Sequence, residues 1–324
     1  MSDVPMVGDP VLAVAVRAAR RAASVIVDAG RDLKRLPTFS KEHGEIAAAA
    51  SDEAKAAIVA TIGAAFPEHA ILGTDGDGSA EAKNPSPYKW IVDPIDGATN
   101  FAHGYPHYAV SVALAHGSDI THAAVLDPVH DELFTAVHGK GAQLNGAPIR
   151  VSACTRLEEA LVGTVFPARG GGRTTAYLPI MTAVMRRCAG LRRAGACSLD
   201  LAYLAAGRLD GYFVTSLKAG DVAAGALLVK EAGGRVGDTE AFILFHDPQT
   251  RGELAELCQS VRLPVRAFDS SAALLEAVRP TDGGCLLADT ALPGISGLEL
   301  LGELRRRGVR MPMIFLTRHG DVET

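Results

Sequence analysis

Residues 90–101 read Trp-Ile-Val-Asp-Pro-Ile-Asp-Gly-Ala-Thr-Asn-Phe, with Asp93 and Asp96 three apart around Pro94 and a glycine directly after the second acid. The apolar residues before Asp93 predict a strand, Pro94 is expected to end its ladder, and Asp96-Gly97 turns the chain toward a helix. Such a turn aims two carboxylates and the Ile95 carbonyl at one point. Hard oxygen donors without His or Cys suit Mg²⁺ rather than zinc. Amides at Gly97, Ala98 and Thr99 would then stand where a phosphate can be held. The competing reading is a solvated Asp-Pro/Asp-Gly turn, since these residues are common turn formers.

Outward from this stretch, Asp9 and Pro10 start a helix that runs to Gly30, and a second helix is predicted from Asp52 to Phe66 with Ser51 as its cap. Short apolar runs at 69–73, 88–93, 108–116 and 122–127 read as strands, and 139–152 carries the Asn145-Gly146 signature of a hairpin. Residues 199–214 read as helix then strand, and 221–234 as a helix closed by glycine. Beyond Asp238 strands and helices alternate regularly (241–247, 264–269, 284–289 and 311–317 as strands), which implies a parallel, doubly wound sheet. In the last helix Leu298, Leu301 and Leu304 share a face. A domain boundary is therefore placed at 239, giving residues 1–239 and 240–324.

The 324 residues are 48% apolar and 21% charged with a formal net charge of −5, the composition of a globular chain with a sizeable core. The net charge offers no basic surface for nucleic acid, and no apolar run is long enough for a membrane helix. Five widely spaced cysteines and the lack of a leader pattern point to a reducing, cytoplasmic setting. Cys197 is expected to be a buried thiol, His103 and His107 to line a cleft lip or the surface, and Lys41 to be solvated.

The stretch from Trp90 to Leu114 closely resembles the signature of the inositol monophosphatase family, and Gly220–Gly234 resembles a second motif of that family. Residues 192–213 look like its substrate-side segment, with Gly195 and Ala196 beside the substrate. The resemblance spans the N-terminus to about Asp238. It implies an αβαβα layered sandwich, lacking its C-terminal part here, and a Mg²⁺-dependent phosphomonoesterase acting on inositol phosphates or related sugar and nucleotide phosphates. Carried over by position, Asp93, the Ile95 carbonyl, Asp96 and Asp221 are the metal ligands, and Asp52 assists a weaker ion. A small phosphate ester is the expected partner, and the resemblance leaves room for a homodimer.

Departures fall on working positions. Thr74 and Asp75 stand where the family has two glutamates, Ala98 replaces a hydroxyl that positions water, Val214 replaces a glutamate, and Gly220 a tryptophan. Impaired turnover is expected, and a phosphate-binding or scaffold protein without turnover is the rival reading. From about residue 240 the chain resembles a response-regulator receiver domain, with Asp289 matching the phospho-accepting aspartate and Thr317 the switch threonine. The family's metal-holding acid pair aligns with Phe245 and His246, so receiver switching is not expected.

Overall fold

The structure, a computed structural model, describes residues 8–33, 41–73, 86–166, 174–214, 219–236, 240–260, 264–280, 282, 284–289, 292–309, 311 and 313–316. The chain divides into two compact units, Met1–Val236 and Gly237–Thr324.

The first unit opens with α1 (Pro10–Leu33), whose starting amides at Val11 and Leu12 donate to the Asp9 carboxylate at 3.2 and 3.1 Å. The helix runs through Gly30 rather than stopping there; Leu33 beyond it is buried, and that anchor outweighs the glycine's weak propensity. Helix α2 (Lys41–Ala65) begins eleven residues before the expected Asp52, because Ala47 and Ala50 continue the buried stripe of Ala54, Ile58 and Ile62 backwards. Asp52 consequently lies within the helix, on its exposed side.

Strands β1 (Ala70–Gly73) and β2 (Tyr88–Asp96) pair in parallel. After the short α3 (Ala98–Ala102), β3 (Ala109–His116), β4 (Asp119–Asp127), β5 (Glu132–Val137), β6 (Gly141–Leu144) and β7 (Ala147–Pro148) continue the sheet as an antiparallel meander. Asn145 and Gly146 both take left-handed backbone at the β6–β7 turn, as the hairpin signature requires. Strand β5 was not legible in advance. Alternation along β2–β5 sends Trp90, Val92, Val112 and Leu114 to α1 and α2, and Ala109, Ala113, Val125 and Phe134 to the opposite face.

That opposite face is covered by two later helices. The intervening chain forms β8 (Leu161–Thr164), α4 (Thr174–Met185) and β9 (Gly190–Arg192), none of them marked by the sequence pattern. Helix α5 (Cys197–Ala205), strand β10 (Gly211–Phe213) and helix α6 (Ala219–Glu231) follow. Strands β10, β8 and β9 make a second, parallel sheet in that order. Tyr212 of β10 faces Cys197 of α5, while its neighbour Phe213 stacks on Tyr177 of α4 at 5.9 Å. The layers thus run helix, sheet, helix, sheet, helix.

An aromatic ladder closes one end of the first sheet. His69 stacks between Phe66 and Tyr88, both at 4.7 Å, and its Nδ1 accepts the Trp90 indole N–H at 3.1 Å. Burial holds the His69 pKa below the ordinary 6.5, because an imidazolium there would lose both solvent and the Trp90 bond. A histidine with a depressed folded pKa adds stability above its unfolded pKa, which is lost as pH falls through the folded one. Trp90 is the only tryptophan, so its fluorescence should titrate with a midpoint below 6.5 and stay flat in His69→Phe. A midpoint at or above 6.5 would refute this assignment.

In the second unit, β11 (Glu240–Leu244), α7 (Pro248–Ser260), β12 (Val265–Phe268), α8 (Ser271–Ala277), β13 (Gly284–Asp289), α9 (Gly297–Arg306) and β14 (Met313–Leu316) alternate as expected. All strand pairs are parallel, in the order β12-β11-β13-β14. Phe242 and Leu244 face Leu274, Leu300 and Leu304, whereas Ile243 and Phe245 face Leu254, so helices cover both sides. In α9 Leu304 is buried as expected, together with Leu300 one turn before it, whereas Leu301 is only half-buried; the Leu298 side chain lies outside the described residues.

Candidate functional site

Strand β2 does not end at Pro94. Asp93 pairs with Ser111 and Asp96 with Ala109, so three steps on β2 oppose two on β3. The proline sits in a bulge, where its missing N–H leaves no ladder bond unmade. This bulge re-aims the strand end. Both Asp93 and Asp96 are buried, and the Asp93 carboxylate accepts the Ile95 amide at 3.1 Å.

Asp96 reaches across to the start of α5. Its Oδ1 accepts from the Cys197 amide at 3.1 Å, and its Oδ2 accepts from both the amide and the hydroxyl of Ser198 at 2.6 Å. Ala196, at the N-cap of α5, has no side chain able to cap, so a carboxylate 101 residues earlier in the chain does this work. Burial pushes the Asp96 pKa up to about 6, the Ser198 and Cys197 bonds pull against it, and the Asp200 charge adds to the rise.

Three further contacts fix the loops around this carboxylate. The Asn100 side-chain amide donates to the carbonyls of His107 at 2.7 Å and Ala194 at 2.8 Å, tying α3 to the loop that carries Gly195 and Ala196. The His107 Nε2 lies 3.0 Å from the Asp200 Oδ1. Gly97, at φ 90°, lies directly against the His107 carbonyl and the Ala196 side chain. Asn100, Ser198 and the His107–Asp200 pair escaped the sequence reading. Asn100 stood inside the quoted motif, but pairs 93 to 102 residues apart leave no local pattern.

Cys197 is a buried thiol, as expected. Burial pushes its pKa up, and the charges of Asp96, Asp200 and Asp221 push it further. Asp200 also rises through burial, opposed first by the His107 bond, and its Oδ2 is buried without a hydrogen-bond partner among the described residues. Asp221 lies half-buried in the first turn of α6.

Among the described residues, no three His, Cys, Asp or Glu side chains are gathered closely enough to hold a metal ion. The donor chemistry nevertheless suits a hard cation, since Asp93, Asp96, Asp221 and the Ile95 carbonyl are all oxygen donors in a region where buried negative charge raises neighbouring pKa values. Ala98 and Thr99, at the start of α3, are exposed. Thr74, Asp75 and Thr317 lie outside the described residues. Val214 follows β10, half-buried; Gly220 is buried at the start of α6. Lys41 is solvated and pairs with Glu45, while His103 is exposed and His107 largely enclosed. In the second unit Asp289 ends β13, and Asp247 caps α7 through the Thr250 amide at 2.9 Å.

The inositol monophosphatase family profile matches residues 8–261. The chain belongs to the inositol monophosphatase family. Residues 243–324 match the response regulator receiver domain, so the two matches share 243–261, the part that folds as β11 and α7 of the second unit. A relative from Pseudomonas aeruginosa, "Nus factor SuhB", is 46% identical over 237 residues, covering 71% of this chain and 85% of that protein. The crystal structure of extragenic suppressor protein suhB from Bartonella henselae shares 36% identity with a TM-score of 0.63, over 72% of this chain and 88% of that one. The inositol monophosphatase of Anabaena shares 32% identity with a TM-score of 0.58, over 69% and 81% respectively. No helix among the described residues is long and apolar enough to cross a membrane.

Proposed function

We propose that the first unit of this inositol monophosphatase family member is a Mg²⁺-dependent phosphomonoesterase of low turnover, acting on inositol monophosphate or a similarly small phosphate ester. What supports this reading is the burial of Asp93 and Asp96 together at the β2 bulge, with the negative charge of Asp221 felt at the neighbouring Cys197 thiol. Asp93, the Ile95 carbonyl, Asp96 and Asp221 would hold the ion, with Asp52 assigned to a weaker one. A bound divalent ion supplies charge neutralisation for the phosphate and a lowered pKa for attacking water. The chain's own contributions are distinct. Amides of Gly97, Ala98 and Thr99 would receive the phosphate, and the Gly195–Ala196 loop, tied by Asn100, would line the substrate side. Asp96 shares its carboxylate between this role and the α5 cap.

Low turnover follows from the same residues. Ala98 brings no hydroxyl to orient water, and losing one such positioning contact slows a reaction on the order of 100-fold. Phosphate release from inositol 1-phosphate should be measurable with Mg²⁺ and fall to the buffer blank in Asp93→Asn. Release that persists in Asp93→Asn would remove the assignment. If the unmutated protein itself stays at the blank, the second reading gains: a protein that works through partners, in line with the name Nus factor carried by the Pseudomonas relative.

The receiver unit is assigned no phosphotransfer role. Phe245 is buried where an acid is needed, and Asp247 is engaged in capping α7. Incubation with acetyl phosphate and Mg²⁺ should leave the intact mass unchanged; stoichiometric phosphate on Asp289 would overturn this.

A further inference from the structure

The two oxygens of Asp96 are held unequally. Oδ1 accepts a single bond, from the Cys197 amide at 3.1 Å, whereas Oδ2 accepts both the amide and the hydroxyl of Ser198, each at 2.6 Å. An ionised carboxylate carries about four lone-pair sites, two to each oxygen. Oδ2 therefore has none left, and Oδ1 keeps one, since among the described residues no other donor reaches either oxygen. The two amides alone would treat the oxygens alike. The serine hydroxyl is what makes them differ, through a bond short enough to be charge-assisted.

The surroundings keep this asymmetry in place. Ser198 is buried with Asp96, so water does not compete for the hydroxyl bond. Ala196 offers α5 no side-chain cap, and the carboxylate cannot swing away without stripping the helix of its acceptor. Asn100 ties the chain after Asp96 to the loop before α5, through the carbonyls of His107 and Ala194. Gly97 seats the turn against Ala196. Both ends of the Asp96–Ser198 contact are thereby fixed, and the carboxylate presents one oxygen rather than two.

That difference matters to a divalent ion. Ca²⁺ gathers about six to eight oxygens in flexible geometry and readily takes both oxygens of one carboxylate, whereas Mg²⁺ demands a near-ideal octahedron. The narrow bite of a two-oxygen carboxylate fits the larger ion and distorts the shell of the smaller. We propose that Ser198 is a specificity-determining residue of the site: by occupying Oδ2 of Asp96 it restricts that carboxylate to one oxygen and favours Mg²⁺ over Ca²⁺. The inference rests on the reading of Asp93, Asp96 and Asp221 as ligands of a divalent ion. Ser198 itself is a positioning residue and touches no ion.

The test is isothermal titration calorimetry of the full-length protein with MgCl₂ and with CaCl₂, checked against the rise in melting temperature that each ion produces. Ser198→Ala leaves both amide bonds and frees one lone pair on Oδ2. It should shift the ratio of the two dissociation constants about 10-fold toward Ca²⁺ and lower the melting temperature of the ion-free protein by about 5 °C. Thr164→Val removes another buried hydroxyl, the one that meets the Tyr177 hydroxyl at 3.0 Å, and should cost stability with the ion ratio unchanged. Asp93→Asn should abolish binding of both ions. An unchanged ratio in Ser198→Ala, with binding that Asp93→Asn still abolishes, would overturn the role of Ser198 and leave the metal reading standing. An equal shift in Thr164→Val would also overturn it, since general loosening would then account for the change. If neither ion binds the unmutated protein or Ser198→Ala, the metal reading fails and this inference with it.

Discussion

Gly97→Ala is expected to lower the melting temperature of the first unit by roughly 5–15 °C and to abolish whatever phosphate binding the site supports. Gly97 stands at φ 90°, a backbone conformation that places alanine's Cβ against its own chain at about 1–2 kcal/mol. The surroundings make matters worse. A Cβ built there lies 3.0 Å from the His107 carbonyl oxygen, 3.1 Å from the Ala196 Cβ and 3.2 Å from the Tyr108 Cβ. None of these atoms is the tip of a flexible side chain, so relief requires the His107 loop or the Ala196 loop to move as a body. Each is already fixed, the first by the His107–Asp200 pair and both by Asn100. Strain and displacement together should reach about 2–4 kcal/mol. Differential scanning calorimetry checks the stability half, and phosphate binding by isothermal titration the other. A variant with an unchanged melting temperature would show that this turn is looser than its geometry says.

That tight seat explains what could be read in advance and what could not. Turn chemistry and apolar periodicity are local, so the Asp9 cap, the Asn145-Gly146 hairpin and the alternating elements after residue 240 were legible. Pro94 misled because a proline usually ends a ladder, whereas here the bulge absorbs its missing donor. Gly30 misled because propensity is small beside the burial of Leu33. Strands β8 and β9 are three or four residues long and carry glycines, which leaves no alternation to detect. Around the candidate site, the spacing of Asp93 and Asp96 was legible, but the bonds that hold Asp96 were not. Ser198 serves Asp96, and Asp200 serves His107, only because α5 happens to start beside the β2 bulge.

Gly225→Val should unfold the first unit at ordinary temperatures, and Gly225→Ala should leave it folded but separate Asp221 from Asp96. Gly225 is where α6 crosses α5, and a Cβ there would stand 2.5 Å from the Leu201 Cβ and 2.6 Å from its Cδ1. The Leu201 Cβ cannot rotate away, so the helices must part. One turn before each contact residue lies a site element: Asp221 on α6, and Cys197 with Ser198 on α5. The close crossing therefore does more than pack the core, since it sets how near the Asp221 carboxylate comes to the α5 amides that hold Asp96. Forcing one methyl into such a contact destabilises by about 1–3 kcal/mol, and the branched valine side chain adds to this in a layer already walled by Leu227, Leu228 and Ala202. Mg²⁺ affinity in Gly225→Ala, measured by titration calorimetry, should drop at least tenfold while the far-ultraviolet circular dichroism stays native. Unchanged affinity would mean that Asp221 is not a ligand, and the ion would have to be held by the β2 bulge alone. Conversely, Leu201→Ala in the Gly225→Ala background removes the obstructing side chain beyond Cβ and should recover part of the lost affinity, which a purely chemical role for Gly225 would not allow.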